Sequence, residues 1–213
     1  DDTYSQVLLK MKETSPEEYD VYALGMWGSY GNRFFKEFSK KIHVVEPHDI
    51  PSYWTRYTSK DYGLDMLANL WFTMDTEGNV EVYKELYEPD LIISEAAARI
   101  KEVNGGDIIS TKYAPPDLWN RRQETGKSAA DIFRENGEYL TKSSNDRADG
   151  WLSVKEWLKV FEVRDEQTGE IRKTARLRIW SNCTNLIRCL PQLMQKEDDP
   201  NDVDSKKNHE LTH

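Results

Sequence analysis

The chain has 213 residues, which suits one domain with an appendage or two small domains. Hydrophobic residues make up 38% of it, with 7 Trp, 11 Tyr and 6 Phe, enough to form a substantial core. We expect neither a membrane span nor a signal peptide, because no apolar run has the required length and the first residues are polar. The net charge of −9 taken alone argues against nucleic-acid binding, because phosphate contacts require Lys and Arg.

The distribution of charges and cysteines narrows the function classes further. Residues 171–178 carry several cations and no acid, whereas residues 197–204 are rich in acids. A site for divalent metal ions is itself acidic, so this composition is compatible with a metal-dependent enzyme that acts on nucleic acid. Cys183 and Cys189 form neither a disulfide framework nor a CxxC motif, so we expect two buried or half-buried thiols in a reducing cytoplasm.

The first 50 residues differ from the rest of the chain. Residues 15–18 have the composition of a helix start, residues 25–31 contain too many glycines for a regular element, and phenylalanines follow at 34–38. The first residue is also not Met. We therefore predict that residues 1–50 are a linker and the remnant of an upstream domain, and that residues 51–213 form the main domain.

An alternating pattern begins at residue 54 and predicts three strands in a meander. Residues 54–61 alternate, residues 66–75 are mostly apolar, and residues 80–88 alternate again after a hairpin turn at 76–79.

Helical and extended patterns then follow one another along the chain. A helix with one apolar face follows Asp90 and ends at Gly105, and a strand at 107–114 stops at two prolines. Two further helices are predicted to begin at Ser128 and Ser153.

The last third of the chain predicts a second hairpin over residues 162–180, turning near Gly169, and a loose acidic tail from Gln195.

Strands that first meander and then alternate with helices predict an α/β fold with a mixed central β-sheet flanked by helices. This order of elements is found in ribonuclease H-like folds.

Two aspartates that follow predicted strands are candidate metal ligands. Asp61 ends the first strand directly before Tyr62 and Gly63, and Asp117 follows the fourth strand. If these strands are neighbours, the two carboxylates can hold the paired divalent ions that catalyse phosphodiester cleavage. Each aspartate also has a purely structural explanation: Asp61 can form a turn, and Asp117 can cap a short helical turn.

Two other motifs are less informative. His209 and His213 lie one helical turn apart, which is typical either of half a metal site or of a solvated terminus. Residues 126–128 resemble the end of a phosphate-binding loop, but Arg121 occupies the position at which that loop needs its first glycine. We therefore predict no nucleotide site of this type.

Several cations are candidate contacts for a DNA backbone, with a solvated surface as the alternative for each. They lie before the helix that begins at Ser128 and in the predicted second hairpin: Arg121, Arg122, Lys127, Arg172, Lys173, Arg176 and Arg178.

Several stretches, taken in order, resemble the large terminase subunits of tailed phages, the motors that package viral DNA. They are residues 22–31 and 34–35, 43–45 and 50–51, 56–63, 113–119, 125–133 and 208–213. Each is a weak motif alone, but together their order and spacing cover nearly the whole chain.

The resemblance implies a ribonuclease H-like nuclease that cuts concatemeric double-stranded DNA with two Mg²⁺ or Mn²⁺ ions and with little base specificity. It implies that Asp61, Asp117 and His213 are catalytic metal ligands. His213 matches the histidine of the family's last motif, whose following acid is absent from this sequence. The implied partners are duplex DNA, an ATPase domain of the same polypeptide, the small terminase subunit and the portal protein. The implied location is the host cytoplasm during procapsid packaging, with no membrane.

Two other functions stay open. Another ribonuclease H-like enzyme, such as a recombinase or a Holliday-junction resolvase, is disfavoured only by the glycine- and tryptophan-containing stretch before Asp61. A non-catalytic module that clamps DNA or docks within the packaging motor would use the basic hairpin without metal. Metal binding distinguishes this module from a nuclease.

Overall fold

The computed structural model describes residues 6–7, 32–63, 65–121, 123, 126–144, 146–165 and 168–204. Arg122, His209, His213 and most of the predicted linker lie outside these ranges. Among the helices within them, none combines the length and the apolar character that a membrane crossing needs.

The helices and strands are, in chain order, α1 (Lys40–His43), β1 (Val44–Val45), β2 (Thr55–Tyr62), β3 (Met66–Met74), β4 (Val80–Pro89), α2 (Ile93–Asn104), β5 (Thr111–Ala114), α3 (Ala129–Glu135), β6 (Thr141–Lys142), α4 (Arg147–Leu158), β7 (Phe161–Arg164), β8 (Ile171–Thr174), β9 (Leu177–Trp180) and α5 (Thr184–Cys189). Short 3-10 helices cover Pro116–Trp119 and Leu190–Gln192.

A seven-stranded mixed sheet, in the order β1-β9-β4-β3-β2-β5-β6, forms the centre of the described fold. Strands β2, β3 and β4 form an antiparallel meander, and the other neighbouring strands pair in parallel. The predicted α/β fold and the predicted meander are both confirmed. Strands β2 and β5, the predicted first and fourth strands, are parallel neighbours in which Ser59 pairs with Tyr113.

The alternation of β2 sends its side chains to two different layers. Thr58, Lys60 and Tyr62 are buried on the face that packs against α2 and α3, where the Tyr62 ring meets Phe133 edge-on. Ser59 and Asp61 are exposed on the opposite face. A strand of period two therefore places the candidate ligand Asp61 toward solvent and its neighbour Lys60 in the core.

The second face of the sheet carries its own core. Phe34, Phe35 and Phe38 are buried there with Leu158 of α4 and with residues of β4 and β9. The described part of the predicted linker thus contributes both to this core and, through β1, to the sheet.

Two predicted boundaries are wrong. Helix α4 begins at Arg147, where the Asp146 side chain accepts a bond from the Asp149 amide, and Ser153 lies inside the helix. Strand β5 begins at Thr111 rather than at 107, because the Asp107 carboxylate is held by Lys84 Nζ at 2.9 Å, so residues 107–110 form a loop.

The second hairpin is shorter than predicted. Strands β7 and β8 pair with each other and turn through Gly169, which has a φ of 73°, as expected of a tight turn. Strand β9 leaves this hairpin and joins the central sheet between β1 and β4. The prediction of a loose tail is wrong for residues 195–204. Gln195 forms a β-bridge with Val203, and Val203 is buried.

Candidate active site

Asp61 is an exposed residue near the carboxyl-terminal end of β2, on the face of the sheet opposite α2 and α3. It pairs in register with Ala68 of β3, and Ala68 pairs with Tyr87 of β4. Ala68 therefore lies between Asp61 and Tyr87 in the strand register. Asp61 and Tyr87 line one cavity of about 260 Å³.

The rest of this cavity comes from elements distant in sequence. Trp151 of α4 and the residues around α5 close it, and Glu85 of β4 lies within its wall. The Glu85 carboxylate accepts bonds from the backbone amides of Asn185 and Leu186, at 2.7 and 3.0 Å, and so holds the start of α5 against the sheet. Glu85 therefore has a structural role that fixes one wall of the cavity.

Gly63, two residues after Asp61, leaves room for the Asp65 carboxylate because it has no side chain. Its amide donates to the Met66 carbonyl at 2.9 Å, and a Cβ at this position would lie 2.7 Å from Asp65 Oδ1. A side chain here would therefore displace the Asp65 carboxylate from the end of β2.

Asp117 lies on the same edge of the sheet as Asp61. It is exposed in the 3-10 helix that follows β5, and its carbonyl accepts the Asn120 amide at 2.9 Å. Extending the parallel register from the Ser59–Tyr113 pair places Pro115 level with Asp61, so Asp117 lies two residues beyond that level. Asp117 does not line the cavity that contains Asp61.

The third candidate ligand, His213, lies outside the described residues. Within the described part, no group of three or more His, Cys, Asp and Glu side chains is arranged to hold a metal ion. The donors at this edge are carboxylates, whose hard oxygens suit Mg²⁺ and Mn²⁺ rather than softer ions.

A buried ionic cluster that the sequence analysis did not identify joins the two strands that carry the aspartates. Lys60 Nζ of β2 lies 3.1 Å from Glu138 Oε2, and Lys112 Nζ of β5 lies 2.7 Å from Glu138 Oε1. Burial lowers the pKa of Lys60 below its usual value, although the Glu138 carboxylate opposes this. The signal in the sequence was a lysine at an inward position of an alternating strand.

The predicted DNA contacts separate into two groups. The backbone of Arg121 forms an isolated β-bridge with Ser128. Lys127 forms an exposed ion pair with Glu135 at 2.7 Å. Both cations lie beside α3, on the same edge of the sheet as Asp61. Arg172 and Lys173 are exposed in β8, and Arg176 is exposed just before β9. Arg122 lies outside the described residues.

Arg178 differs from these cations because it belongs to the central sheet. Its Nη2 lies 2.9 Å from Oε1 of Glu81, which is buried. Glu81 Oε2 also accepts bonds from Trp180 Nε1 and His48 Nε2, each at 2.8 Å. The positive charge of Arg178 is thus already neutralised within the protein.

No protein-family model matches the sequence, and no curated protein is significantly similar to it. Several solved structures, however, share its fold. The nuclease domain of the P22 large terminase has a TM-score of 0.61 and 11% identity, over 86% of this chain and 91% of the P22 chain. The large terminase of a thermophilic bacteriophage, solved in complex with ADP, has a TM-score of 0.61 and 16% identity, over 81% of this chain and 40% of that one.

A further structure with this fold carries a metal ion. The large terminase nuclease from the thermophilic phage G20c, with bound magnesium, has a TM-score of 0.50 and 12% identity, over 79% of this chain and 85% of that chain.

The protein therefore has a ribonuclease H-like fold, with the mixed sheet and flanking helices predicted from its sequence. More narrowly, its fold is that of phage large terminase nuclease domains. The region that matches spans 40% of the ADP-bound large terminase chain.

Proposed function

We propose that this chain is the nuclease domain of a phage large terminase subunit and hydrolyses phosphodiester bonds of double-stranded DNA with Mg²⁺ or Mn²⁺. The proposal rests on the position of Asp61 in this fold. Asp61 is an exposed residue near the end of β2, an inner strand of a ribonuclease H-like sheet, beside the parallel strand β5 that leads to Asp117.

Asp61 and Asp117 would hold the metal, and His213 would add a ligand from the terminal segment. A divalent ion bound there would supply a Lewis acid for the phosphate and a water of lowered pKa. The cavity beside Ala68 gives a phosphodiester room to approach Asp61. The Lys60–Glu138–Lys112 cluster would keep β2 and β5 in register, so that both aspartates stay at one edge.

The same proposal extends to partners and location. The matched region spans 40% of a large terminase that was solved with ADP bound. We therefore propose that an ATPase domain of the same polypeptide acts with this nuclease. The small terminase subunit and the portal protein would be further partners, and the site of action would be the host cytoplasm.

The test is plasmid cleavage by wild type and by Asp61→Asn in Mg²⁺, Mn²⁺ and EDTA. We expect metal-dependent linearisation and degradation by the wild type, and a loss of at least roughly 100-fold in rate in the variant. Asp49→Asn is the matched control, because Asp49 is an exposed aspartate that precedes β2 at the other end of the strand. Asp117→Asn should behave like Asp61→Asn.

Metal binding distinguishes the nuclease from a non-catalytic DNA-clamping module. Calorimetric titration with Mn²⁺ should give binding to the wild type and to Asp49→Asn, and weakened binding to Asp61→Asn. Cleavage that continues in EDTA, or that Asp61→Asn retains, would exclude this assignment. DNA binding without any metal binding would favour the clamping module.

A further inference from the structure

Exposed cations without a carboxylate partner collect on one surface of this acidic protein. Within the described ranges, most lysines and arginines near the central sheet are paired with acids. One set of exposed cations forms no ion pair with a described residue and lies on α1, at the end of α4 and around β8: Lys40, Lys41, Lys159, Lys173 and Arg176. We call this set the basic surface. Other cations of this kind lie elsewhere: Arg164 and Arg172 line a second cavity beside Asp75, and Lys101 and Arg188 belong to α2 and α5.

The packing of α1 brings these residues together. His43 of α1 is buried, and its Nε2 lies 2.8 Å from the Leu158 carbonyl at the end of α4, next to Lys159. Helix α1 also contacts β8 and β9, the strands that flank Arg176. Lys159 and Arg176 line a common cavity of about 360 Å³. Three segments far apart in sequence thus present their cations at one place.

The acids near this surface are fewer than its cations. Glu156 lines the same cavity as Arg176, and Glu162 lies opposite Lys173 in the β7–β8 ladder. A cation at the end of α4, such as Lys159, also stabilises the helix dipole. That role does not extend to Arg176, which lies outside any helix. The excess of unpaired cations has the chemistry of a phosphate-backbone contact.

The strand register fixes where this surface lies relative to Asp61. Leu177, directly after Arg176, pairs with Val80, Val80 pairs with Met74, and Met74 pairs with Thr55. Arg176 is therefore near the level of Thr55, and Asp61 lies six residues further along β2 and three strands across the sheet. With roughly 3.3 Å per residue and 4.8 Å per strand, the separation is roughly 25 Å.

We propose that the basic surface binds the phosphate backbone of duplex DNA at roughly 25 Å from Asp61. This inference rests on the proposed nuclease function for the identity of the polyanion. Binding at this surface would place the duplex contact away from the acidic edge of the sheet that carries Asp61 and Asp117.

The test compares two double variants with the same change in charge. Lys41→Ala/Arg176→Ala removes cations of the basic surface, and Lys101→Ala/Arg134→Ala removes exposed cations of α2 and α3 on the other face of the sheet. Binding to a fluorescent 20-base-pair duplex is measured in EDTA over a range of salt concentrations. For the first variant we expect Kd at low salt to rise roughly tenfold or more, and the slope of log K against log salt to fall by about 1.8. The control should keep the wild-type slope.

Binding in EDTA does not depend on cleavage, so this inference and the nuclease proposal can fail separately. Identical slopes for the two double variants would overturn the duplex contact and would favour an acidic protein as the partner of this surface.

Discussion

Lys60 Nζ lies 3.1 Å from Glu138 Oε2, and the Lys60 side chain has no exposed surface. Glu138 is almost as completely buried, and its second oxygen pairs with Lys112. The two lysines belong to β2 and β5, the adjacent parallel strands that lead to Asp61 and Asp117. The charges that hold these strands together thus lie on the face of β2 opposite Asp61.

This geometry predicts that the two ends of the ion pair are unequal in their contribution to stability. Glu138→Gln leaves Lys60 buried without a counter-charge and should lower the free energy of unfolding by about 3–5 kcal/mol. Lys60→Met should lower it by only about 1–2 kcal/mol, because Glu138 keeps Lys112 and methionine fills a similar volume. Urea unfolding followed by tryptophan fluorescence measures both, and equal losses would contradict the asymmetry.

The arginines at 176 and 178 should have opposite roles. Arg178→Ala removes a partner of the buried Glu81 and should lower the free energy of unfolding by about 1–3 kcal/mol. Arg176→Ala removes an exposed cation, so it should change stability by less than about 0.5 kcal/mol while weakening duplex binding. Parallel unfolding and DNA-binding curves test the pair. A strongly destabilised Arg176→Ala protein would be inconsistent with this division.

Acid should weaken the contacts that Asp202 makes with Arg147 and Trp151 of α4. The Asp202 carboxylate accepts bonds from Arg147 Nε at 2.8 Å, from Trp151 Nε1 at 3.2 Å and from the Val203 amide at 2.8 Å. Burial alone would raise the pKa of Asp202, but the Val203 amide and Arg147 together hold it below its usual value. Folding therefore favours the ionised form, so its stabilisation is complete above the unfolded pKa and is lost as pH falls through the folded one.

The measurement is the free energy of unfolding from about pH 6 down to about pH 2, across the ordinary aspartate range. Wild type should lose stability more steeply below about pH 4 than Asp202→Asn, which lacks the titrating group. Asp198→Asn, an exposed aspartate of the same segment, should follow the wild-type curve. Identical acid slopes for Asp202→Asn and wild type would show that this carboxylate does not contribute.

The Cys183 thiol should not react in the native protein. Burial, with a smaller contribution from the Glu85 charge, raises the pKa of Cys183 to about 12. At pH 8 the reactive thiolate is then about one part in ten thousand. Cys189→Ser, which keeps only Cys183, should therefore resist a disulfide-exchange reagent when folded and react fully in urea. Rapid labelling of this variant without denaturant would contradict the burial of Cys183 at the start of α5.

Local patterns in the sequence correctly predicted the elements that depend on near neighbours. The period of two in β2 placed Lys60 and Asp61 on opposite faces, and the turn after Met74 set the β3–β4 pairing. Ser128 caps α3 as expected, because its hydroxyl accepts a bond from the Asp131 amide within the same turn. The mixed sheet followed from the order of these elements, so the α/β fold was predictable.

Other features depended on contacts between distant parts of the chain. Asp146 and Ser153 are both plausible capping residues, and the local pattern alone could not distinguish them. Helix α4 begins at the earlier one, a start that lets Trp151 pack against Phe34, with ring centroids 5.6 Å apart. The predicted hairpin likewise ended early because Leu177 pairs with Val80 instead of continuing the β7–β8 ribbon.

The sequence by itself predicted which side chains of β2 share a face, where the hairpin turns fall, and that Asp61 and Asp117 follow predicted strands. Only the tertiary structure decided that Glu138 would pair with Lys60 across 78 residues, and that Arg178 would be neutralised by Glu81. It alone gathered Lys41, Lys159 and Arg176 onto one surface. Periodicity and capping arise from hydrogen bonds and side chains within a few residues, whereas these relationships depend on which strands become neighbours when the chain closes its long loops.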